Sequence, residues 1–125
     1  MTAETRDVQI IRKMLKHCSE IDEAISIFGD SYGAISANSV YKNAVAMCIL
    51  QIGELSANLS NDFKNKYNAL PWKQIKGMRN LLAHGYGNLD IEELWNTVKH
   101  DIPYLRTYCI SALEKMKNIE HKRHD

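Results

Sequence analysis

The chain has 125 residues, of which 45% are hydrophobic and 25% are charged, with a formal net charge of +1. This composition is typical of one globular domain, and it excludes a disordered chain and a polycation that binds nucleic acid through its overall charge. No apolar run approaches the roughly 18 residues that a membrane span requires. The N-terminal segment has no apolar h-region, so neither a membrane anchor nor a signal peptide is expected.

Three cysteines, Cys18, Cys48 and Cys109, are widely spaced, and each falls within an apolar helical pattern. Their odd number and their positions predict buried free thiols in a reducing, cytoplasmic compartment and not a disulfide framework. Zinc ligation is the minor alternative, because the chain has no Cys-x-x-Cys pair.

The first half of the chain predicts two long helices. Apolar residues recur at three- and four-residue steps over residues 7–28, and Gly29 follows as a helix-ending residue. Residues 30–39 predict a loop. A second helix is predicted from residue 39 to about residue 59, capped by Asn38 or Ser39. Its wide apolar arc indicates burial on more than one side, and Gly53 inside it indicates a closely approaching neighbour helix.

The second half predicts shorter helices. Residues 61–70 predict about one helical turn, and Pro71 then begins a helix that ends near Ala83 or His84. Asp90 can cap the next helix and Asp101 a last one, with a proline in its first turn.

No strand pattern or internal repeat is present. The sequence therefore predicts an all-α antiparallel bundle of four to five helices. We expect a single domain over residues 1–125, with a core at about 5–117 and a frayed tail at 118–125.

The candidates for chemistry lie near the end of the helix that begins at residue 71. Arg79 supplies a permanent charge and a planar donor group that matches phosphate, and His84 can exchange a proton near neutral pH. Together they suit phosphodiester cleavage without a metal ion: His84 activates a ribose 2′-hydroxyl or protonates the leaving oxygen, and Arg79 stabilises charge on the phosphorus. Asn80 can position the substrate or the imidazole. Lys73 and Lys76, one turn apart upstream, can track an RNA backbone.

The spacing of these residues sets a geometric problem. Arg79 and His84 are five residues apart, so on a continuous helix their side chains point about 140° away from each other. Either the helix ends before His84 and the histidine turns back, or two copies of the chain pair so that arginines and histidines from both meet in one cleft. The second solution predicts an obligate homodimer with a composite site across a two-fold axis.

Each candidate also has a structural interpretation. Arg79 can form a surface ion pair, and His84 can be favoured at a helix C-terminus by the helix dipole. Tyr86, which stands between two glycines, either exposes its hydroxyl or folds onto the end of the bundle. The two lysines can belong to a solvated helix face, and Glu54 can be a solvated or salt-bridged edge residue.

Residues 79–86, RNLLAHGY, resemble the R-x4-H-x-Y signature of HEPN-domain toxins of the HepT family. The similarity extends to the family's I-G-E segment at residues 52–54 and to its P-W-x-x-I-x-G-M-R-N run at residues 71–80. Trp95 and Pro103 fall where the family has a tryptophan and a proline. The match covers roughly residues 5–117. The bare R-x4-H is a weak signal, but the combined motifs are specific.

This resemblance implies an all-helical HEPN bundle that dimerises and forms a ribonuclease cleft at the interface, with Arg79, His84 and the accompanying Asn80 as the catalytic residues. It implies a toxin–antitoxin pair in which an MNT-type nucleotidyltransferase antitoxin transfers AMP from ATP to Tyr86. The ATP is the partner's substrate, so the chain itself needs no cofactor. The added phosphate would repel RNA from an anion-binding cleft. Glu54 either faces the cleft or holds Arg79.

Two other classes of function compete with this one. The chain can be a non-catalytic helical adaptor that binds a nucleotidyltransferase and helps to present its substrate. It can also be a nucleotide-binding subunit that acts as a sensor. In both cases Arg79 and His84 would only contact nucleotide or partner.

Overall fold

The computed structural model describes residues 2–124, without the side chains of residues 3, 4 and 118–124. Over this range the chain forms seven α-helices and no strand, which confirms the predicted all-α class. The helices are α1 (Ala3–Phe28), α2 (Tyr32–Ala37), α3 (Ser39–Ala57), α4 (Asn61–Lys66), α5 (Trp72–His84), α6 (Ile91–Asn96) and α7 (Ile102–His124). A 3-10 turn, Tyr86–Asn88, follows α5, and a π-helical turn, Thr97–Asp101, joins α6 to α7.

Helices α1 and α3 pack against each other in opposite directions. At one end, the Tyr41 hydroxyl donates a hydrogen bond of 2.9 Å to the carbonyl of Gly29. At the other end, the backbone N–H and the hydroxyl of Ser60 both donate to the buried Asp7 carboxylate, at 2.9 and 2.6 Å. These contacts join the start of each helix to the end of the other, so the pair is antiparallel, and each oxygen of the buried Asp7 carboxylate accepts a hydrogen bond.

Two capping side chains explain two differences from the predicted helices: α1 begins earlier than predicted, and α2 was not predicted. Helix α1 starts at Ala3 and not at residue 7, because the hydroxyl of Thr2 accepts the N–H of Thr5 at 3.1 Å. The predicted loop at residues 30–39 is wrong, because it contains α2. Ser31 caps that helix by accepting the N–H of Ala34 at 3.1 Å.

Other predicted boundaries are close to those observed. Asn38 caps α3 by accepting two backbone N–H groups, and α3 ends at Ala57, two residues before the predicted end at residue 59. Gly29 ends α1 with a φ of 115°, a region that L side chains rarely adopt. Pro71 is the residue before the first turn of α5, and α5 ends at His84 as predicted.

Helices α6 and α7 form one continuous helical rod. The prediction that Asp101 caps a separate last helix is wrong, since the N–H of Ile102 donates to the carbonyl of Thr97 across the π turn. In a regular α-helix, the ring of Pro103 would clash with the carbonyl four residues earlier, and Pro103 has no N–H to donate to it. The π turn directly before Pro103 changes the hydrogen-bond pattern at this place. The predicted frayed tail at 118–125 is helical to His124, and Asp125 lies outside the described residues.

The core lies between α1, α3 and α7 and is closed by α2, α4 and α5. Its fully buried side chains include Ile11, Met14, Ile21, Ile35, Tyr41, Val45, Ile52, Leu94 and Leu105. All three cysteines are free and buried, as predicted. Burial raises the pKa of Cys18 to about 11 and the pKa values of Cys48 and Cys109 to about 12. None of the helices over residues 2–124 combines the length and the apolar character that a membrane crossing requires.

Candidate active site

Helices α3 and α5 lie in close contact where Gly53 meets Arg79. A Cβ atom added at Gly53 would meet the Cβ of Arg79 and lie 2.8 Å from its Cγ. Only a glycine therefore permits this approach, as the sequence predicted. Further along, Tyr86, just past the end of α5, meets Asn43 near the start of α3. The two helices are thus antiparallel, and α3 carries the partners of two predicted site residues.

The guanidinium of Arg79 is held from two directions. Its Nε donates to Oε1 of Glu54 at 2.8 Å, and its Nη1 donates to Oδ1 of Asn80 at 2.9 Å. Among the described residues, its Nη2 has no hydrogen-bond partner. Arg79 and Glu54 remain 32% and 43% exposed. The ion pair therefore orients the arginine, while water screening limits its contribution to stability.

Asn80 acts on the arginine and not on the histidine. Asn80 and His84 are four residues apart on α5, a spacing that puts them on one face of the helix. The side-chain oxygen of Asn80 nevertheless accepts from Arg79. Of the two roles that the sequence left open for Glu54, the contact it makes is the one that holds Arg79.

His84 is the last residue of α5, and its side chain is exposed. The helix remains regular to this point, because the N–H of Gly85 donates to the carbonyl of Leu81 at 2.7 Å. The alternative in which the helix ends early and lets the histidine turn back is therefore wrong. On a continuous helix, the side chains of Arg79 and His84 leave the backbone about 140° apart. One chain thus presents its arginine and its histidine on different faces of α5.

Tyr86 is folded back against α3 and keeps one face in water. Its hydroxyl donates to Oδ1 of Asn43, and the Nζ of Lys42 lies 5.6 Å from the centroid of its ring. The side chain is 38% exposed. Of the two alternatives that the sequence left open, the structure shows the folded-back ring, and its hydroxyl has Asn43 as a partner. Beside it lies a cavity of 320 Å³ lined by Asn43, Ala46, Met47, Leu50, Leu82 and Tyr86.

A basic groove of 460 Å³ runs between α3 and α5 and ends at Arg79. It is lined by Lys64, Trp72, Lys73, Lys76 and Arg79, and on the α3 side by Gly53, Ser56 and Ala57. Lys73 and Lys76, which the sequence singled out as a possible track for an RNA backbone, both line this groove, and Arg79 follows them at a three-residue step.

Sequence reasoning missed Lys64, Lys42 and Asn43 as parts of these sites. Lys64 comes from α4, which the sequence treated only as a polar turn. No signal in the sequence pointed to Asn43 or Lys42, because only the antiparallel packing of α3 on α5 brings the start of α3 beside the residues that follow α5.

The arrangement offers three chemical elements near one helix pair. The groove attracts a polyanion, the oriented guanidinium with its unpaired Nη2 can bind one phosphate, and the exposed imidazole can exchange a proton. We find no group in this set that is specific for a base.

Both a family model and individual relatives of this chain are described as ribonucleases. Residues 14–112 match the family model described as "Ribonuclease HepT-like". A protein of Caldanaerobacter subterraneus named "Putative RNase TTE0752" is 30% identical over 107 residues, which are 86% of this chain and 94% of that protein. No solved structure matches this chain.

Two archaeal relatives are more similar over shorter stretches. "Probable ribonuclease HepT" of Thermococcus cleftensis is 44% identical over 63 residues, which are 50% of this chain and 57% of that protein. "Putative RNase MJ1380" of Methanocaldococcus jannaschii is 37% identical over 75 residues, which are 60% of this chain and 69% of that protein. The alignments thus span somewhat more than half of the length of these two relatives.

Proposed function

Because this chain belongs to the HepT-like ribonuclease family, we propose that it is a metal-independent endoribonuclease and the toxin of a toxin–antitoxin pair. Its site is composite: Arg79, supported by Asn80, comes from one chain of a homodimer, and His84 comes from the other. A partner nucleotidyltransferase of the MNT type inactivates it by transferring AMP to Tyr86. The alternative is the adaptor or nucleotide-binding subunit described above.

The observation that carries the composite site is the regular helix through His84. A proton donor and an anion-binding group that leave one regular helix about 140° apart are poorly placed to act on the same phosphodiester from a single chain. A two-fold pairing of α5 and α3 with a second copy supplies the missing group from the partner.

The exposed face of α3 supports this pairing. Val40, Asn43, Met47, Leu50 and Glu54 follow one another at three- and four-residue steps and so share one side of the helix. Val40 and Met47 are 63% and 55% exposed, which is unusual for apolar side chains on a central helix. This face leads from Tyr86 to the Glu54–Arg79 pair, so a second chain that covers it would reach both.

The chemistry follows from the residues present. Lys64, Lys73 and Lys76 hold the RNA backbone in the groove, and the free Nη2 of Arg79 stabilises the negative charge that develops on the phosphorus. His84 removes the proton of the 2′-hydroxyl or protonates the leaving 5′-oxygen. The ribose hydroxyl is the nucleophile, which restricts the activity to RNA.

Cleavage of RNA by the purified chain in the presence of EDTA tests the enzyme. We expect cleavage by the wild type and by the His100→Ala variant, a matched control because His100 is also exposed, and none by His84→Ala. Equal cleavage by His84→Ala would contradict the proposal. If the pure wild type does not cut RNA and does not affect growth when expressed alone, the adaptor function is the better explanation.

The proposed regulation of the site is the transfer of AMP from ATP to the hydroxyl of Tyr86. The Tyr86 oxygen attacks the α-phosphorus of ATP, pyrophosphate leaves, and the phenolic proton that is now donated to Asn43 passes to the solvent. The product carries a phosphodiester charge beside the site, where it competes with RNA. With its cognate nucleotidyltransferase and ATP, the wild type should gain mass in AMP units and Tyr86→Phe should not. The same gain by both would exclude Tyr86.

A further inference from the structure

A second cluster of reactive side chains lies between α1 and α3, on the side of α3 that faces away from α5. His17 and Glu20 stand one turn apart on α1, and Cys48 reaches towards them from α3. The Nδ1 of His17 is 3.6 Å from Oε2 of Glu20, and the Sγ of Cys48 is 3.7 Å from the same oxygen. Each of the three residues offers one possible ligand atom, and these atoms all lie within 4.8 Å of one another.

These contacts do not satisfy the groups that make them. The Nδ1 atom of His17 is shielded from solvent and has no hydrogen-bond partner in the structure. A buried polar nitrogen without a partner is costly in a folded protein and needs an explanation. The thiol of Cys48 is a weak donor at a long distance, and no lysine or arginine forms an ion pair with Glu20 among the described residues.

We propose that His17, Glu20 and Cys48 form a site for a divalent transition-metal ion of the zinc class. A tetrahedral ion with bonds of about 2.0–2.3 Å separates its ligand atoms by roughly 3.3–3.8 Å. The two observed distances to the Glu20 oxygen, 3.6 and 3.7 Å, fall within that interval. A cation between the three atoms would also give the His17 nitrogen its missing partner.

The donor set decides the class of metal. An imidazole nitrogen, a carboxylate oxygen and a sulfur suit zinc and its neighbours among the transition metals, whereas magnesium and calcium prefer oxygen ligands. The part of the chain that the structure describes supplies three protein ligands, and Glu20 is 43% exposed, so the fourth position would open to solvent and take a water molecule.

Binding requires that Cys48 lose its proton. Burial, and secondly the Glu20 carboxylate, raise the pKa of this thiol to about 12, so without a metal it is protonated. A cation that neutralises Glu20 and binds the sulfur replaces that proton, and one proton per ion passes to the solvent.

The site would join α1 to α3 and is separate from the ribonuclease residues. Helix α3 presents Cys48 to α1 and Gly53 to α5, so the metal would clamp the helix pair that supports Arg79 without touching the phosphodiester. It is a structural site, and the RNA cleavage proposed above should persist in EDTA whether or not the metal binds.

Titration of the reduced, tag-free protein with Co²⁺, a spectroscopic substitute for Zn²⁺, tests this site. We expect a thiolate-to-cobalt charge-transfer band in the near ultraviolet that saturates at one ion per chain and disappears when Zn²⁺ is added. In Cys48→Ala the band should be absent. In Glu20→Gln it should be absent or should require at least a ten-fold higher Co²⁺ concentration. Cys48 is buried, so Cys48→Ala can fold poorly. Glu20 is partly exposed, so Glu20→Gln should fold normally and still tests the site.

Two control variants separate this site from general thiol or carboxylate binding. Cys109→Ala removes another buried thiol, and Glu23→Gln removes an exposed carboxylate one turn from Glu20, so both should bind Co²⁺ like the wild type. Absence of the band in the folded wild type would overturn the proposal, and so would its persistence in Cys48→Ala.

Discussion

At the scale of single residues, the orientation of Arg79 depends on two hydrogen-bond acceptors that lie on different helices. Asn80 is its neighbour on α5, so their contact is local, whereas Glu54 reaches it from another helix. The second contact therefore fixes the guanidinium relative to α3 and to anything bound along that helix.

Replacing Glu54 separates orientation from stability. We expect Glu54→Ala to lower kcat for RNA cleavage roughly ten- to a hundred-fold, because a small misplacement of a catalytic group is costly. The free energy of unfolding should change by less than about 1 kcal/mol, since both partners are partly exposed. Steady-state kinetics and urea unfolding measure the two effects.

Glu54→Gln keeps an acceptor oxygen and should recover part of the activity. Glu23→Ala, an exposed acid on α1, is the matched control and should leave kcat unchanged. A loss of stability that parallels the loss of activity would show that Glu54 serves only the fold.

The residue scale also marks the limit of prediction from sequence. Arg79, His84 and Tyr86 could be selected from their chemistry and spacing, but their partners could not. Glu54 was selected without a decision between its two roles, and Asn43 was not selected at all. Both partners lie on α3, far from the motif in the chain, so only the packing of α3 on α5 brings them close.

At the scale of helices, the contact between α3 and α5 rests on the missing side chain at Gly53. We expect Gly53→Ala to destabilise the protein by about 1–3 kcal/mol, because the new methyl group overlaps the Cβ of Arg79 and the helices must move apart. Ribonuclease activity should fall with it, since Arg79 would lose its position against Glu54.

Gly77 provides the matched control for that change. It also lies within a helix, but nothing lies within 4 Å of a Cβ added there. Gly77→Ala should therefore stabilise the protein by about 0.5–1 kcal/mol through improved helix propensity. If urea unfolding finds the two variants equally stable, the close approach at Gly53 is not a constraint.

Helix-scale errors of the sequence interpretation have a common physical origin. Helix α2 was assigned to a loop because its six residues give too short a stretch for apolar periodicity, and only its Ser31 cap signals it. The join at Thr97–Asp101 was interpreted as a break because Asp101 and Pro103 are start signals, yet the backbone continues from α6 into α7 through a π turn. Long helices with a clear apolar period were predictable. Short helices and helix junctions, where only a few local signals are available, were not.

At the scale of the whole molecule, the sequence predicted the all-α class and suggested a second chain, but it did not identify a surface on which the proposed second chain could pack. The need followed from the angle between residues 79 and 84 on one helix. The proposed pairing surface rests on the exposed Val40 and Met47, which periodicity alone assigned to a buried arc of α3. A side chain that fits the apolar pattern and is still exposed is visible only in the folded chain.

Mixing two inactive variants tests the composite site directly. Arg79→Ala and His84→Ala should each be inactive alone. In a heterodimer of the two, one arginine and one histidine remain and can meet across the interface, provided that each site takes its arginine and its histidine from different chains. With free exchange of chains, half of the dimers are mixed and each has one intact site of two, so about a quarter of the wild-type rate should return.

The control for this experiment mixes Arg79→Ala with the double variant that carries both substitutions. That mixture has no arginine at any site and should stay inactive, which excludes recovery through refolding or contamination. If the first mixture also stays inactive while native mass spectrometry, which resolves the small mass difference between the two variants, shows mixed dimers, the arginine and histidine act within one chain. Helix α5 would then have to unwind before His84 when RNA binds, because its regular form keeps the two side chains on different faces.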